Sequence, residues 1–364
     1  WNVVFGEFFK DEIIRLTQCI LAAAPPASNL TETLLSIPGN AVRGALARRF
    51  LDRPGGAVDT LFRRLFLGDE VSYGQATLGG AQAMPLSARS CKYEPGPLAE
   101  GGHGVVDLLL PGGGPVACAR CQRPLDYLDG FWLAAERRRV SPATRLATRT
   151  AIDPRRGTAS AGQLYSQRLL AAGQTFRATV EVPGDLLARL DELVAAPWRA
   201  SFGTGASRGQ GWAEVCRRTP AAPGLGSVRE RFRRYAAAAG RPVLAVTLLS
   251  DGLFCDDYLR PTTAPALADL AALGVRPGDW QPRPRAFAAT RQVFGFDGEP
   301  IHLPRPERLA VVAGSAFLFE AADSAAAPQV PPGDGRGWIG DGRAEGYGSA
   351  VLWHPFHLGP EAAA

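Results

Sequence analysis

Apolar positions along this chain recur with two different periods. Val42, Ala45, Leu46 and Phe50 follow Pro38-Gly39-Asn40 on one helical face, which predicts a helix with Asn40 as its N-cap. Val58, Leu61, Phe62, Leu65 and Phe66 predict a second helix soon after. Leu186, Leu187, Leu190, Leu193 and Val194 predict a third over 185–195. Ile14, Leu16 and Ile20 instead keep to alternate positions and predict a strand over 12–21; residues 176–182 predict another. A Pro/Gly/Ala linker at 219–226 separates this half from the next. The pattern then restarts with a strand over 242–249, a short helix over 264–273 and a strand region over 308–320. Residues 321–337 are poor in apolar side chains and rich in Pro, Gly and Asp, so a mobile loop is expected there. Strands and helices interleave in β-α-β order, which favours an α+β fold built on four-stranded sheets.

One glycine-rich window occurs twice. Gly203, Gly205, Gly209, Gly211 and Ala213 fall opposite Gly340, Gly342, Gly346, Gly348 and Ala350 without a gap. An apolar stretch of strand character follows each window. Duplication of one domain explains both the match and its place near the end of each half. Glycines let a backbone approach a ligand closely, and successive exposed amides form an anion cradle. Ser207 and Arg208 in the first loop and Arg343 in the second add phosphate donors. Trp212 and Tyr347 offer rings on which bases stack. A dinucleotide fingerprint is excluded because these glycines precede strands, and a P-loop because no Gly-Lys-Ser/Thr is present. The competing reading is a pair of tight turns in a sheet.

Charge and composition sharpen the choice. The chain has 364 residues, of which 46% are hydrophobic and 21% charged, enough for two packed domains and against wholesale disorder. No run of 18 apolar residues occurs. The first ten residues do not resemble a secretory signal, and six cysteines are too few for a disulfide scaffold, so a reducing, cytoplasmic setting without membrane contact is expected. The net charge is +5, carried almost wholly by arginine, since Lys10 and Lys92 are the only lysines. Much of that bias fits a GC-rich coding sequence, but arginine is also the better phosphate and stacking residue. Arg137, Arg138, Arg139, Arg145, Arg149, Arg155, Arg156 and Arg168 crowd the middle of the chain. Pro142, Pro154 and Gly157 interrupt that stretch, so a hairpin or loop is expected rather than one helix. Such a segment suits phosphate contact, and the alternative is a solvated surface of local ion pairs. Arg43, early in the first helix, is a further phosphate candidate or an ordinary exposed side chain.

Cys118-Ala-Arg-Cys121 is a knuckle with Cys91 upstream and His103 between. Three thiolates and an imidazole satisfy a tetrahedral structural zinc site, and the Gly/Pro-rich segment around them needs such a staple. Asp107 is the fallback fourth ligand; a redox pair or plain buried thiols are the competing readings. Cys19, Cys216 and Cys255 lie in apolar runs and are expected in the core.

Ile37-Pro38-Gly39-Asn40-Ala41-Val42-Arg43-Gly44-Ala45-Leu46 resembles the I-P-G-S-A-L-R-G-A-L segment of the RAMP superfamily of CRISPR-associated proteins, and Leu65-Phe66-Leu67-Gly68 is similar to the L-F-G that follows it there. Ser207-Arg208-Gly209-Gln210-Gly211 and Ala344-Glu345-Gly346-Tyr347-Gly348 are similar to the glycine-rich loop of that superfamily. Arg149 to Asp153, Gly157-Thr-Ala159, Gly162-Gln-Leu-Tyr165 and Gly173-Gln-Thr-Phe176 resemble the central stretch of type III subunits. The likeness runs through nearly the whole chain, and the cysteine-bearing insertion makes it most similar to the type III-D subunits of the Csx-ten family. The resemblance implies two tandem ferredoxin-like, RRM-like domains. These would be an N-terminal one over 11–218, with a zinc module at 85–135 and an arginine-rich loop at 136–170, and a C-terminal one over 227–358. It implies a non-catalytic, RNA-binding subunit of a type III effector complex that holds guide CRISPR RNA, at its 5′ repeat-derived handle, in antiviral defence. Its partners would be that guide, target RNA, backbone RAMP subunits and the large polymerase/cyclase-type subunit. Arg43, Arg149, Arg155, Arg156, Gly205, Ser207, Arg208, Gly209, Gly211, Gly342, Arg343, Gly346, Tyr347 and Gly348 would meet the RNA. The alternative is a RAMP-type endoribonuclease with Asp153 as its acid. A histidine general acid/base is missing near the first helix and both loops, and no carboxylate cluster suggests a two-metal site.

Overall fold

The alternating segment expected over 12–21 contributes residues 12–16 to the strand Phe9–Leu16, at the centre of the first unit's sheet, and its residues 17–21 lie outside the described residues. The computed structural model describes residues 9–16, 30–111, 117–134, 136–152, 155–156, 158–204, 206–218, 225–294, 305–323 and 328–359. The chain divides into two units: Trp1–Gly80 with Ser141–Pro220, and Ala81–Val140 with Ala221–Ala364.

In the first unit the strand order is Trp198–Ser201, Trp212–Arg218, Phe9–Leu16, Thr175–Glu181, Ser72–Tyr73, antiparallel throughout. The helix Gly39–Leu51 buries Val42, Leu46 and Phe50, as its spacing predicts. Its N-cap is Pro38 and not Asn40, which lies inside the first turn. Pro38 holds extended backbone there at no cost, because the first amides of a helix need no partner within it. The second expected helix shrinks to Thr60–Phe62 and a wider turn at Arg63–Leu67, in which Gly68 N–H donates to Arg63 O at 2.9 Å. The Asp59 carboxylate accepts from Phe62 N–H at 2.7 Å and caps that start, leaving Val58 exposed. Gly184–Leu193 is the third helix, with Leu186, Leu190 and Leu193 buried. The arginine-rich middle forms a hairpin of Thr144–Ile152 and Ala159–Leu170.

The second unit's sheet runs Arg285–Phe287, Ala316–Glu320, Val243–Leu248, Ser349–Leu352, Arg336–Trp338, again antiparallel. In each unit the opening strand is therefore central, and the closing strand is one arm of a hairpin that contains a glycine-rich loop. The expected helix at 264–273 is only a single-turn Asp269–Leu273. The strand region at 308–320 divides into Arg308–Val311 and Ala316–Glu320 around a turn at Gly314. Val228–Ala239 is a further helix, not among the expected elements, although Val228, Phe232, Tyr235 and Ala239 recur at helical spacing.

The inserted segment interrupts the first half in sequence but packs with the second unit. Leu109 is wholly buried in that unit's core, Leu86 N–H donates to Gly314 O at 2.8 Å, and the Trp132 ring meets Phe356 edge-on at 5.3 Å. Met84, Ala88, Val105, Leu128, Trp132 and Phe356 form one small apolar cluster. So small a core gains its stability by joining a larger one. Cys216 and Cys255 are half-buried rather than core residues, and Cys19 lies outside the described residues. No helix among the described residues is long and apolar enough to cross a membrane.

Candidate nucleic-acid interface and metal centre

The two glycine-rich loops share one backbone solution. Phe202 N–H donates to Gly211 O at 2.8 Å, and Ile339 N–H donates to Gly348 O at 2.8 Å. A single-turn Ala206–Arg208 in the first loop matches Arg343–Glu345 in the second. Gly211 sits at φ 74 and Gly348 at φ 81. A Cβ at these positions would come within 2.1 Å of Phe202 O and 1.9 Å of Ile339 O, so only glycine closes either loop.

Their surroundings differ. In the first loop Ser207 and Gly209 are exposed, and the Arg199 guanidinium lies 5.4 Å from the Trp212 ring. In the second, Gly346 and Gly348 are buried and Tyr347 is half-buried. There Glu345, Gly346, Tyr347 and Gly348 donate their amides to Gly342 O, Arg343 O, Gly342 O and Asp251 O respectively. The anion cradle expected at these four amides is thus consumed by the fold. What the second loop offers instead is arginine. Arg305 pairs with Glu345, Arg308 Nη2 lies 2.9 Å from the same carboxylate, and Arg291 Nε lies 2.6 Å from Asp251 Oδ2. The carboxylates are sunk (Asp251 11%, Glu345 17% exposed) while Arg291 stands 44% exposed above them. Burial pushes the Glu345 carboxyl up, but Arg305 and Arg308 outweigh it and hold the group below its ordinary range. Arg308 also lies 5.2 Å from the Tyr347 ring, and Arg343 is exposed. Sequence spacing does not reveal Arg291, Arg305 or Arg308, because they reach the loop only through the fold.

The arginine run divides between the units. In the second, Arg138 pairs with Glu136, Arg139 pairs with Asp129, and Arg137 donates to Gly359 O at 3.1 Å. The first two are the local ion pairs of the alternative reading, a solvated surface. In the first unit Arg145 and Arg149 lie on the hairpin, with Arg149 directly across from Tyr165; Arg155 and Arg156 are exposed near its tip, and Arg168 pairs with Glu32 at 2.8 Å. Arg43 is half-buried in the first helix. Asp153 and Gly205 lie outside the described residues, as does the Arg208 side chain.

Cys91, His103, Cys118 and Cys121 come together. Their ligand atoms all lie within 4.8 Å of one another, so the four could hold one metal ion. Cys91 ends the strand Ala88–Cys91, while the other three lie on loops. Buried Ser90 ties those loops, donating to Gly104 O at 2.8 Å and accepting from Gly96 N–H at 2.8 Å. Cys91 Sγ and Cys121 Sγ are 3.5 Å apart, and Cys118 Sγ is 3.6 Å from His103 Nδ1. Tetrahedral zinc with sulfur at its usual bond length needs edges of about 3.8 Å, whereas a disulfide needs about 2.05 Å. The Glu94 amide, helped by that of Tyr93, holds the Cys91 thiol below its ordinary range. At Cys118 burial acts upward, but the amides of Cys121 and Arg120 prevail and lower it. The Arg123 amide favours the Cys121 thiolate, yet Cys91 and Cys118 push that thiol up. Three sulfurs crowded in this way favour a cation among them. Asp107 takes no part: its Oδ2 lies 2.9 Å from His357 Nδ1 and accepts from Ser87 Oγ at 2.7 Å.

Asp107, His357 and Thr247, whose Oγ1 is 2.8 Å from His357 Nε2, line up as carboxylate, imidazole and hydroxyl. All three are buried in the second unit, so no substrate reaches the hydroxyl and the row serves as a brace.

No family model and no curated protein matches the chain. Among solved structures it is similar to a chain of the cryo-EM structure of the type III-B Cmr-beta bound to cognate target RNA and AMPPnP, at 14% identity over 85% of this chain and 86% of that one, with a TM-score of 0.45. It is also similar to the crystal structure of Pyrococcus furiosus Cmr4 (Cas7), at 10% identity over 58% of this chain and 99% of that one, with a TM-score of 0.28.

Proposed function

We propose that this chain is a non-catalytic RNA-binding subunit of a type III CRISPR ribonucleoprotein, most similar to the type III-D subunits, that holds guide RNA at its repeat-derived 5′ handle. The observation that carries this reading is the repeated glycine-rich hairpin loop that closes each unit, set beside the RAMP-like segment from Ile37 to Leu46. In each unit the opening strand lies between the third and the closing strand, an order that supports two ferredoxin-like domains. The arginines around the second loop, with Arg145, Arg149, Arg155 and Arg156 on the hairpin, supply cations for phosphates. The cysteine and histidine cluster is read as a structural zinc site, since it supplies four protein ligands and leaves no position for a substrate.

Co-expression with a CRISPR array and the neighbouring subunits tests this. The expected outcome is a co-purified guide RNA, one zinc per chain, and binding that weakens linearly with log salt. Intact target RNA after incubation supports the non-catalytic reading. Cleavage that disappears in Asp153→Ala would replace it with the endoribonuclease.

A further inference from the structure

We propose that the surface around Arg89 in the second unit is a stacking platform for unpaired nucleobases of a single-stranded RNA, built from residues outside the glycine-rich loops. The proposal rests on the reading of the chain as an RNA-binding subunit. Arg89 on Ala88–Cys91 stands directly across from Tyr127 on Leu125–Tyr127. Its guanidinium carbon lies 3.7 Å from the Tyr127 ring centroid and 5.9 Å from that of Phe287. The Arg285 guanidinium in turn lies 5.3 Å from the Phe287 ring. Two flat cations and two aromatic rings thus neighbour one another in the order Tyr127, Arg89, Phe287, Arg285.

The arrangement is built rather than accidental. Arg89 Nη1 donates to Leu86 O at 2.7 Å and Ala88 O at 2.8 Å, which fixes the guanidinium against the ring. Neither Arg89 nor Arg285 has a carboxylate partner among the described residues, whereas Arg64, Arg139, Arg168, Arg291 and Arg308 all have one. The Tyr127 ring stays 67% exposed, so a planar ligand has room on it. A second pair on the same inserted segment, Arg123 at 5.4 Å from the Tyr93 ring, repeats the device, with Tyr93 60% exposed. Flat π faces interleaved with fixed cations suit bases on their faces and phosphates on their charge. Arginine and aromatic rings also mark protein interfaces; what favours RNA here is that neither Arg89 nor Arg285 is neutralised by a carboxylate among the described residues, so both guanidiniums can meet phosphate.

The test uses the full-length protein, a short single-stranded RNA carrying 2-aminopurine, and the same oligomer with abasic positions. Tyr127→Ala is expected to weaken binding of the base-bearing RNA about tenfold, the effect of losing one stacked base, and to abolish the 2-aminopurine quench. Binding of the abasic RNA should not change. Tyr127→Phe should restore both signals, and unchanged metal content in each variant reports an intact fold. Should Tyr127→Ala bind the base-bearing RNA with unaltered affinity and quench, the platform falls while the RNA-binding reading stands. Wild-type protein that binds neither RNA sinks both. RNA binding that persists in Tyr127→Ala while a protein subunit no longer co-purifies would make the patch a protein contact and overturn the proposal.

Discussion

The two glycine-rich loops have one backbone and two chemistries. Gly211 and Gly348 close their hairpins through the same carbonyl-to-amide bond and at nearly the same φ. Yet Ser207 and Gly209 are exposed, while Gly346 is buried and its loop is gripped by Glu345, Arg305 and Arg308. The two loops share the glycines that sterics demand and differ in the side chains around them. The same contrast holds for whole units. The first buries its apolar residues without an extra module, whereas the second also holds the inserted segment through buried polar bonds such as Asp107 to His357.

The sharpest way to separate the units is to remove the Cys/His cluster read as a zinc site. Cys118→Ser with Cys121→Ser should take bound zinc from one equivalent to none. Structural zinc contributes roughly 10 kcal/mol in small modules. Hydrogen exchange should rise across the inserted segment Ala81–Val140, while the strand Thr175–Glu181 keeps its protection. Equal loss in both units would show that the module does not belong to the second alone.

Next in size, Gly211→Ala and Gly348→Ala test whether the loops are equivalent. Each forces a Cβ into a carbonyl at a positive φ, so each should cost roughly 3 kcal/mol by denaturant unfolding. A variant that unfolds like the wild type would mean that its loop relaxes and that the duplication is one of sequence only.

Acid should act on the second unit first. His354 is wholly buried, and desolvation, with its charged neighbours, holds it well below the ordinary histidine value of 6.5. Phe356 N–H donates to its Nδ1 at 3.1 Å, so its Nε2–H faces Gln82 Oε1, and the neutral ring is satisfied. Because the folded value is depressed, the unfolded chain takes up the proton first. The stability is complete above about pH 6.5 and declines as pH falls below it. Burial opposes ionisation of Asp107, but His357 and Ser87 outweigh it and lower its value, so a second loss follows as pH falls below the ordinary carboxylate value of 3.8. Among the described residues of the first unit the lowered carboxylate is Glu70, which is solvent-screened beside Arg64. Melting followed by hydrogen exchange should therefore show the second unit opening first on acidification; His354→Gln should remove the upper step.

The smallest expected effect is on RNA affinity. Arg155→Ala and Arg156→Ala should each reduce the slope of log affinity against log salt by about 0.7 without altering the melt. An unchanged slope would move the phosphate contacts away from the hairpin.

Local patterns by themselves determined the helix that buries Val42, Leu46 and Phe50, the central strands of both sheets, the hairpin character of the arginine-rich middle, the repeated loop and the four residues of the Cys/His cluster. Each of these depends on neighbours close in sequence or on residue types with few other uses. Tertiary structure alone decided that the inserted segment packs with the second unit, because Asp107 and Leu109 meet partners far along the chain. It also made Val228–Ala239 a core helix despite its charge. Arg231 there is buried and donates to the carbonyls of Leu225, Gly226, Asp334, Leu352 and Trp353, an environment no sequence pattern announces. And it spent the second loop's amides on its own backbone, since a buried N–H must find an acceptor and the nearest ones were internal.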